Sequence, residues 1–173
     1  MGLRDRRKRD DGPAGVRYQM REKLLSVGDD YWIDNESGEH VFKVNGKALR
    51  VRDTFVIEDA SGREVAKIQE RKLSIRDKMT VERDGDTVAT VHKALVSPLR
   101  QRFKVELEDG GELEAHGNIV DHEYEIERDG HKVAEVSKRW LRVRDTYGIE
   151  IAPSENHALV LAVTICIDQM AHD

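Results

Sequence analysis

The chain has 173 residues, of which 38% are hydrophobic and 36% are charged, and its formal net charge is −5. This length suits one domain with its own core, and the negative charge argues against general nucleic-acid binding by the folded body. The single cysteine, Cys166, excludes an intramolecular disulfide, and no stretch approaches the ~20 apolar residues that span a bilayer. We therefore expect a cytoplasmic protein without a transmembrane segment.

Residues 1–15 form a charged tail that we expect to be disordered, ahead of a single domain at 16–173. Five basic residues stand against three acidic ones, which puts +2 on the tail and leaves −7 on the rest of the chain. No apolar stretch is present there, so the tail is not a signal peptide. Such a basic run can attract an anionic membrane surface, and a merely solvated tail is the alternative.

From Val16 onward the chain repeats a two-strand unit six times. An aspartate, replaced by Gln101 and His122 in two copies, recurs at positions 29, 53, 77, 101, 122 and 145. An aromatic residue or Met then alternates with Ile or Val, which is the period of a half-buried antiparallel strand. These pairs are Tyr31/Ile33, Phe55/Ile57, Met79/Val81, Phe103/Val105, Tyr124/Ile126 and Tyr147/Ile149. Turns such as Asp84-Gly85 lead into a second strand, whose inward alanines leave room at the centre.

This repeat predicts about twelve short strands joined as a meander. A unit of about two dozen residues is too short for a propeller blade, which needs about 40 residues and four strands. A closed barrel or two facing sheets would accommodate the strands, and closure would also remove exposed strand edges.

The segment after Pro153 breaks the repeat and predicts a helix. Residues 158–167 are apolar except for Thr164, Ser154 is the expected N-cap, and Glu155 suits the first turn. The run is too short for a membrane span, and a helix that is apolar on every side must be enclosed by protein. Its β-branched residues leave a buried strand as the alternative. The predicted fold is mainly β: a closed antiparallel β-barrel of about twelve strands around a central hydrophobic C-terminal α-helix.

The chain resembles the LURP-one-related family, within the Tubby C-terminal-like fold. The likeness is carried by residues 18–24, by the Arg-Asp-Thr copies at 52–54 and 144–146, by residues 117–124 and by the final helix at 158–170. It covers the chain from about Val16 to the end and implies a barrel threaded by its own C-terminal helix. Related families include the phosphoinositide-binding Tubby proteins and the phospholipid scramblases. Their activities do not transfer residue by residue, and a shared fold is a weak argument for function.

The sequence shows no catalytic constellation. It has no His-x-x-x-His or Cys-x-x-Cys spacing and no recognisable nucleophile–base pair, so we expect neither an enzyme nor a metal or other cofactor. His116 and His122 flank a connection and can meet across adjacent strands near Asp121 and Glu123, and a polar loop is the alternative to a site there. Cys166 lies between two isoleucines, which indicates a buried structural thiol with a raised pKa.

The repeated Arg-Asp pairs and one irregular segment are the remaining candidates for binding. The pairs could form an anion-binding ring, but their recurrence favours a structural role, in which Asp hydrogen-bonds backbone N–H groups before each strand. The segment 93–102 inserts two residues into the repeat and contains Pro98, which predicts an altered loop and a contact surface.

We therefore expect a non-enzymatic binding or regulatory module that associates with anionic phospholipid at a membrane surface. The expected contact residues are Arg4, Arg6, Arg7, Lys8, Arg9, Lys93, Arg100 and Arg102. A scaffold for a protein partner without lipid affinity is the second hypothesis, and an enzyme with a site near His122 is the third.

Overall fold

A computed structural model describes residues 15–21, 30–49, 52–71, 78–97 and 100–172. Twelve strands and one helix follow one another along the chain. They are β1 Val16–Arg21, β2 Asp30–Asn35, β3 His40–Leu49, β4 Arg52–Asp59, β5 Glu64–Arg71, β6 Lys78–Arg83, β7 Asp86–Ser97, β8 Arg100–Leu107, β9 Glu112–Asn118, β10 Glu123–Arg128, β11 His131–Ser137, β12 Thr146–Ile151 and α1 His157–Ala171.

The twelve strands form one closed antiparallel barrel. Each strand pairs with its neighbours in the chain, and β1 closes the barrel by pairing with β12 over six residue pairs, from Val16 opposite Ile151 to Arg21 opposite Thr146. The predicted barrel is confirmed, and the arrangement in two facing sheets is excluded. Among the described residues, no helix is long and apolar enough to cross a bilayer.

The period-two pattern of the repeat sets the inner face of the barrel. In β2, Tyr31 and Ile33 are buried, whereas Trp32 between them is exposed. The predicted Asp-Gly hairpin turns join the strands. In one of them, Asp84 and Gly85 have φ of 53° and 87°. Two consecutive positive φ angles define the turn type that matches the twist of a two-residue hairpin.

Helix α1 fills the barrel, because its residues are buried on every side. Residues 160–168 and Met170 are buried, as are the inward alanines Ala66, Ala89, Ala115 and Ala134 of the strands. These small side chains give the helix room at the centre. The predicted central helix is therefore confirmed, and the strand alternative is wrong.

The start of α1 differs from the prediction. Asn156 is the N-cap, and its side chain accepts a hydrogen bond from the Leu159 N–H at 3.1 Å. Ser154 does not cap the helix because it lies in a turn, which is closed by a 3.0 Å hydrogen bond from the Glu155 N–H to the Ala152 carbonyl. The Glu155 carboxylate lies ahead of the first turn and pairs with Arg128.

The two ends of the barrel differ in what they enclose. The N-terminus of α1 lies at one end, which we call the lower end, where Tyr18 Oη is 2.7 Å from His157 Nδ1. The C-terminus lies at the other, the upper end, where His172 Nε2 is 3.2 Å from the Val120 carbonyl oxygen. The site described next lies at the upper end.

Candidate functional site

Strands β1 and β2 separate towards the upper end of the barrel. Among the described residues they form two pairs, the last of which joins Gln19 to Asp34, whereas β2 and β3 form five. Residues 20–21 and 30–33 are strand residues that do not pair with each other across this seam, although β12 and β3 pair with their other edges. Among the described residues, pairing across this seam is therefore confined to its lower part.

A groove of about 530 Å³ lies along the part of the seam where β1 and β2 do not pair with each other. Residues 19–21 of β1, residues 30–32 and 34 of β2, His40 and the segment 143–146 line it; we call it the β1–β2 groove. Its lining includes the core residues Met20 and Tyr31 as well as the exposed Trp32. Residues from both faces of the strands therefore border the groove, but Met20 and Tyr31 are 0% and 5% exposed, so it does not open into the core.

Two arginines are the available positive charges of the β1–β2 groove. Arg21 and Arg144 are exposed, and in the described parts of the chain no carboxylate forms an ion pair with either. Two aspartates of the groove each have a polar neighbour. Asp30 lies 3.7 Å from Lys43 Nζ, and Asp34 lies 2.5 Å from His40 Nδ1. Asp145, exposed beside Arg144, also lines the groove, which therefore carries both positive and negative groups.

The rim of the groove carries exposed apolar surface. Trp32 is 38% exposed and Val143 58% exposed. The Trp32 ring stacks on His40 with centroids 4.8 Å apart, and Lys43 Nζ lies 5.9 Å from the same ring. Cationic and apolar groups therefore stand together at this opening.

A buried imidazole–carboxylate pair lies behind the groove. His122 Nε2 is 2.5 Å from Asp168 Oδ1, and His172 Nδ1 is 3.2 Å from the same oxygen. His122 also stacks on Tyr147, with ring centroids 4.4 Å apart. A carboxylate enclosed in a barrel is costly unless it is paired, and these two histidines supply the pairing.

Tyr31 connects the groove to this pair. Its side chain lines the groove, and burial raises the pKa of its phenol, the Asp168 carboxylate raises that pKa further, and Arg21 lowers it. Burial and Asp168 also raise the pKa of Tyr124 on β10. The Asp168 carboxylate is therefore within electrostatic reach of both tyrosines, and Arg21 within reach of Tyr31.

The backbone before β10 explains how His122 turns inward. The N–H of His122 donates to the Ile119 carbonyl at 3.1 Å, and His122 has a φ of 53°. Asp145, in the equivalent position of the repeat, has a φ of 59°. Asp and His tolerate this left-handed conformation better than most residues. In these two copies, the recurrent position therefore serves the bend that precedes a strand.

The predicted meeting of His116 and His122 is wrong. His116 Nε2 lies 3.1 Å from Glu127 Oε1 on β10, whereas His122 points to Asp168, which is 46 positions away in the chain. One signal in the sequence could have found this partner. Asp168 follows a run that must be enclosed, so its carboxylate needs a polar group inside the barrel.

Two clusters combine side chains that bind metals elsewhere. They are His122, Asp168 and His172 at the upper end, and His116, Glu125 and Glu127 on β9 and β10, each with ligand atoms within 4.8 Å of one another. In the first cluster, the two imidazole rings are nearly parallel, at 11°, with centroids 5.2 Å apart. His122 hydrogen-bonds to the Asp168 carboxylate, whereas His172 Nδ1 hydrogen-bonds to the Asp168 carbonyl oxygen at 2.9 Å.

The contact surface expected from the sequence is only partly within the described residues. Arg4, Arg6, Arg7, Lys8 and Arg9 lie outside them. Lys93 is half-buried in β7, Arg100 is the first residue of β8, and exposed Arg102 lies 3.3 Å from Glu114. That these residues contact an anionic surface stays a prediction.

The altered loop predicted at 93–102 is wrong. β7 continues to Ser97 and β8 begins at Arg100, so most of the segment belongs to a long hairpin. A register shift between Ala94 and Ser97 places two residues of β7 opposite one of β8 and so takes up one extra residue, because a bulge accommodates an insertion without ending the ladder.

Cys166 has the environment expected of a structural residue. Its side chain is fully buried in the core cluster, and burial raises the pKa of its thiol. A protonated, enclosed thiol is neither a nucleophile nor a metal ligand.

Fold and groove together define a class of protein: a barrel that is filled by its own helix and presents a cavity at a seam of the sheet instead of in its lumen. The chain belongs to the LURP-one-related family, which matches residues 16–168. It is also similar in fold to the X-ray structure of a protein from Arabidopsis thaliana, with a TM-score of 0.68 and 17% identity over 92% of this chain and 93% of that one. Comparison with curated proteins finds no match.

Proposed function

We propose that the protein is a non-enzymatic binding module that takes an anionic partner in the β1–β2 groove. The observation that carries this proposal is the pair Arg21 and Arg144, which line the groove without a carboxylate partner among the described residues. Guanidinium groups bind carboxylates and phosphates through paired, charge-assisted hydrogen bonds. Two of them in one concave site favour an anionic group over a neutral one.

The histidine and carboxylate side chains near the groove are in positions that suit a structural role or the binding of a partner. His122 is 2% exposed and Asp168 is 4% exposed, so neither reaches a molecule in the groove. His40 does line the groove, but its ring is held by Asp34 and stacks on Trp32. No hydroxyl or thiol of the described residues hydrogen-bonds to His40, which favours binding over nucleophilic catalysis.

An anionic membrane surface is the first candidate partner. Trp32 and Val143 are exposed beside the two arginines, and this combination is typical of proteins that lie on a membrane. Each basic residue near an anionic surface contributes about 1 kcal/mol. The basic tail expected from the sequence would add to the same attraction.

A protein partner is the second candidate, because an exposed tryptophan beside arginines is a combination enriched at protein interfaces. Both candidates would use Arg21 and Arg144.

The arginines can be tested by co-sedimentation with vesicles of phosphatidylcholine, with and without phosphatidylserine. We expect the wild-type chain to sediment with the acidic vesicles only, and less at higher salt because exposed charges are screened over about 8 Å at physiological ionic strength. The double variant Arg21→Ala/Arg144→Ala should lose this binding. Arg63→Ala/Arg83→Ala removes the same charge from two exposed positions at the lower end and is the matched control. Equal loss in both variants would contradict a groove-specific contact.

A further inference from the structure

The two ends of the barrel carry opposite formal charge. The five hairpin turns at the lower end contain one basic residue, Arg63, against six acidic residues, which are Glu36, Glu39, Asp84, Glu108, Asp109 and Asp129. The two described connections at the upper end contain four basic residues, Lys138, Arg139, Arg142 and Arg144, against Asp121 and Asp145. The formal charge is therefore −5 for the lower-end turns and +2 for the upper-end connections.

The strand ends extend this contrast. Of the twelve strand residues that border the upper end, five are basic and two are acidic, whereas two are basic and four are acidic at the lower end. Four further connections join strands at the upper end but lie outside the described residues, at 22–29, 50–51, 72–77 and 98–99. Together with Asp173 they contain four basic and four acidic residues, so they leave the difference in formal charge unchanged.

Exposed apolar residues accompany the positive charge at the upper end. Val143 is exposed between the exposed Arg142 and Arg144, and no carboxylate of the described residues forms an ion pair with Arg142. Val120, in the other described connection of this end, is also exposed. None of the five lower-end turns contains a large apolar residue. Cationic and apolar side chains therefore occur together at the upper end and not in the turns of the lower end.

We propose that the upper end is a membrane-binding surface, which sets the barrel upright on an anionic bilayer; this rests on the proposed function above and specifies its partner. Arg139, Arg142 and Arg144 face the lipid head groups, where each basic residue gains from the negative surface potential. Val120 and Val143 enter the boundary between head groups and acyl chains, as apolar residues beside cationic ones do in proteins that lie on a membrane.

A flat anionic surface suits the distribution of the charge around the barrel. Twelve strands ~4.8 Å apart form a ring that is at least ~18 Å across. Arg21 on β1 and Lys78 on β6 are five strands apart in this ring, so they border opposite sides of the upper end. A single phosphate or carboxylate reaches one side only, whereas a bilayer meets the whole end. A nucleic-acid backbone would attract the same arginines, but it offers no apolar layer for Val120 and Val143.

The net charge of −5 does not oppose this contact, because the acidic turns lie at the far end of the barrel. Strands of six residues, such as β1, are ~20 Å long, and a tilt of about 40° in a barrel leaves ~15 Å along its axis. Exposed charges are screened over ~8 Å at physiological ionic strength. The acidic turns are therefore about two screening lengths from the membrane and add little repulsion.

Two charge variants of the full chain test the orientation by co-sedimentation with vesicles of phosphatidylcholine and phosphatidylserine. Arg139→Gln/Arg142→Gln removes two positive charges from the upper end, outside the lining of the β1–β2 groove, and should weaken binding about tenfold. Glu36→Gln/Glu108→Gln removes two exposed negative charges from the lower end and should change binding less than about twofold. If the second variant binds about tenfold more tightly instead, net charge governs binding and the orientation is wrong.

A fluorescent label reports which end meets the bilayer. Val143→Cys and Ser37→Cys each place one exposed thiol, at the upper and the lower end respectively, for labelling with a nitrobenzoxadiazole reagent. The wild-type chain, whose Cys166 is buried, is treated in parallel and should take up no label. Acidic vesicles should shift the emission of the Val143→Cys conjugate to shorter wavelength and leave that of the Ser37→Cys conjugate unchanged. No shift at position 143, or equal shifts at both positions, would overturn the proposal.

The results distinguish this proposal from the proposed function. Vesicle binding that needs Arg21 and Arg144, without a response to Arg139→Gln/Arg142→Gln or from the label at position 143, would keep the groove as the anion site and make the membrane-facing end wrong. Vesicle binding that needs neither pair of arginines would make both proposals fail.

Discussion

His122 and Asp168 are 46 positions apart in the chain, yet His122 Nε2 lies 2.5 Å from Asp168 Oδ1 inside the upper end of the barrel. This contact ties the connection between β9 and β10 to the last turns of α1. Neither residue belongs to the apolar pattern that builds the rest of the core. The pair therefore links the end of the helix to the wall of the barrel and gives the buried carboxylate a partner, while His122 Nδ1 has no hydrogen-bond partner among the described residues.

Removal of one partner of this pair should be strongly destabilising. Asp168→Ala leaves the His122 imidazole buried without its carboxylate, and loss of one member of a buried pair costs about 3–5 kcal/mol. Urea denaturation followed by circular dichroism measures the loss. Glu108→Ala, at an exposed position, should change stability by less than about 0.5 kcal/mol. A loss below about 1 kcal/mol for Asp168→Ala would show that the contact is dispensable.

An unpaired charge in the buried middle of α1 should prevent folding. Val163 is fully buried, so Val163→Asp places a carboxylate in the core and should cost several kcal/mol. Val120 is 48% exposed, and Val120→Asp is the matched control. We expect soluble, cooperative melting for Val120→Asp and little soluble protein for Val163→Asp. A wild-type melting temperature for Val163→Asp would contradict the enclosed helix.

Cys166 should be unreactive in the folded protein and should make stability depend on alkaline pH. Burial raises the pKa of its thiol, so the folded state keeps a proton that the unfolded state loses above about pH 8.5. Stability is therefore fully present below that pH and falls above it, by about 1.4 kcal/mol per pH unit for one such group.

Two measurements check the thiol. A thiol reagent at pH 8 should modify one residue per chain in guanidinium chloride and none under native conditions. Urea midpoints between pH 8.5 and 9.5 should decline for the wild type and decline less for Cys166→Ala. Rapid modification of the native chain would mean that α1 is accessible.

The basic tail and the groove should contribute separately to membrane binding. Replacement of Arg6, Arg7, Lys8 and Arg9 by Ala removes four positive charges outside the described residues. We expect weaker co-sedimentation with phosphatidylserine vesicles and an unchanged melting temperature, because only long-range attraction is lost. Combined with Arg21→Ala/Arg144→Ala, the change should abolish sedimentation. No effect of the tail variant at low salt would assign the attraction to the groove alone.

The barrel was predictable because its pattern is local. The alternation around Tyr31 and Ile33, the Asp-Gly turns and the apolar run of α1 each specify an element within a dozen residues. Because the two-strand unit occurs six times, the same prediction is supported by six copies. The N-cap was not predictable in the same way, since Ser154 and Asn156 are both capping residues. A turn between Ala152 and Glu155 decides between them.

The site depends on contacts that no local pattern encodes. The β1–β2 groove exists because pairing stops at Gln19 and Asp34, although the side-chain alternation of both strands continues beyond these residues. The partner of His122 lies on another element, so its sequence neighbours point to His116 instead. The sequence shows Arg144 only as part of a repeated pair, and its place in the groove follows from the path of the chain before β12.

The position of α1 in chain order has a consequence for how the molecule is made. During synthesis all twelve strands leave the ribosome before the helix that occupies their centre. β1 cannot pair with β12 until β12 has been made, more than a hundred residues later. Until then the inner faces of the strands have no core to pack against and stay open to water and to other chains. Contacts this distant slow folding and prolong exposure to aggregation. The nascent chain should therefore depend on chaperones until α1 has emerged, and pausing translation between β12 and α1 should lower the soluble yield.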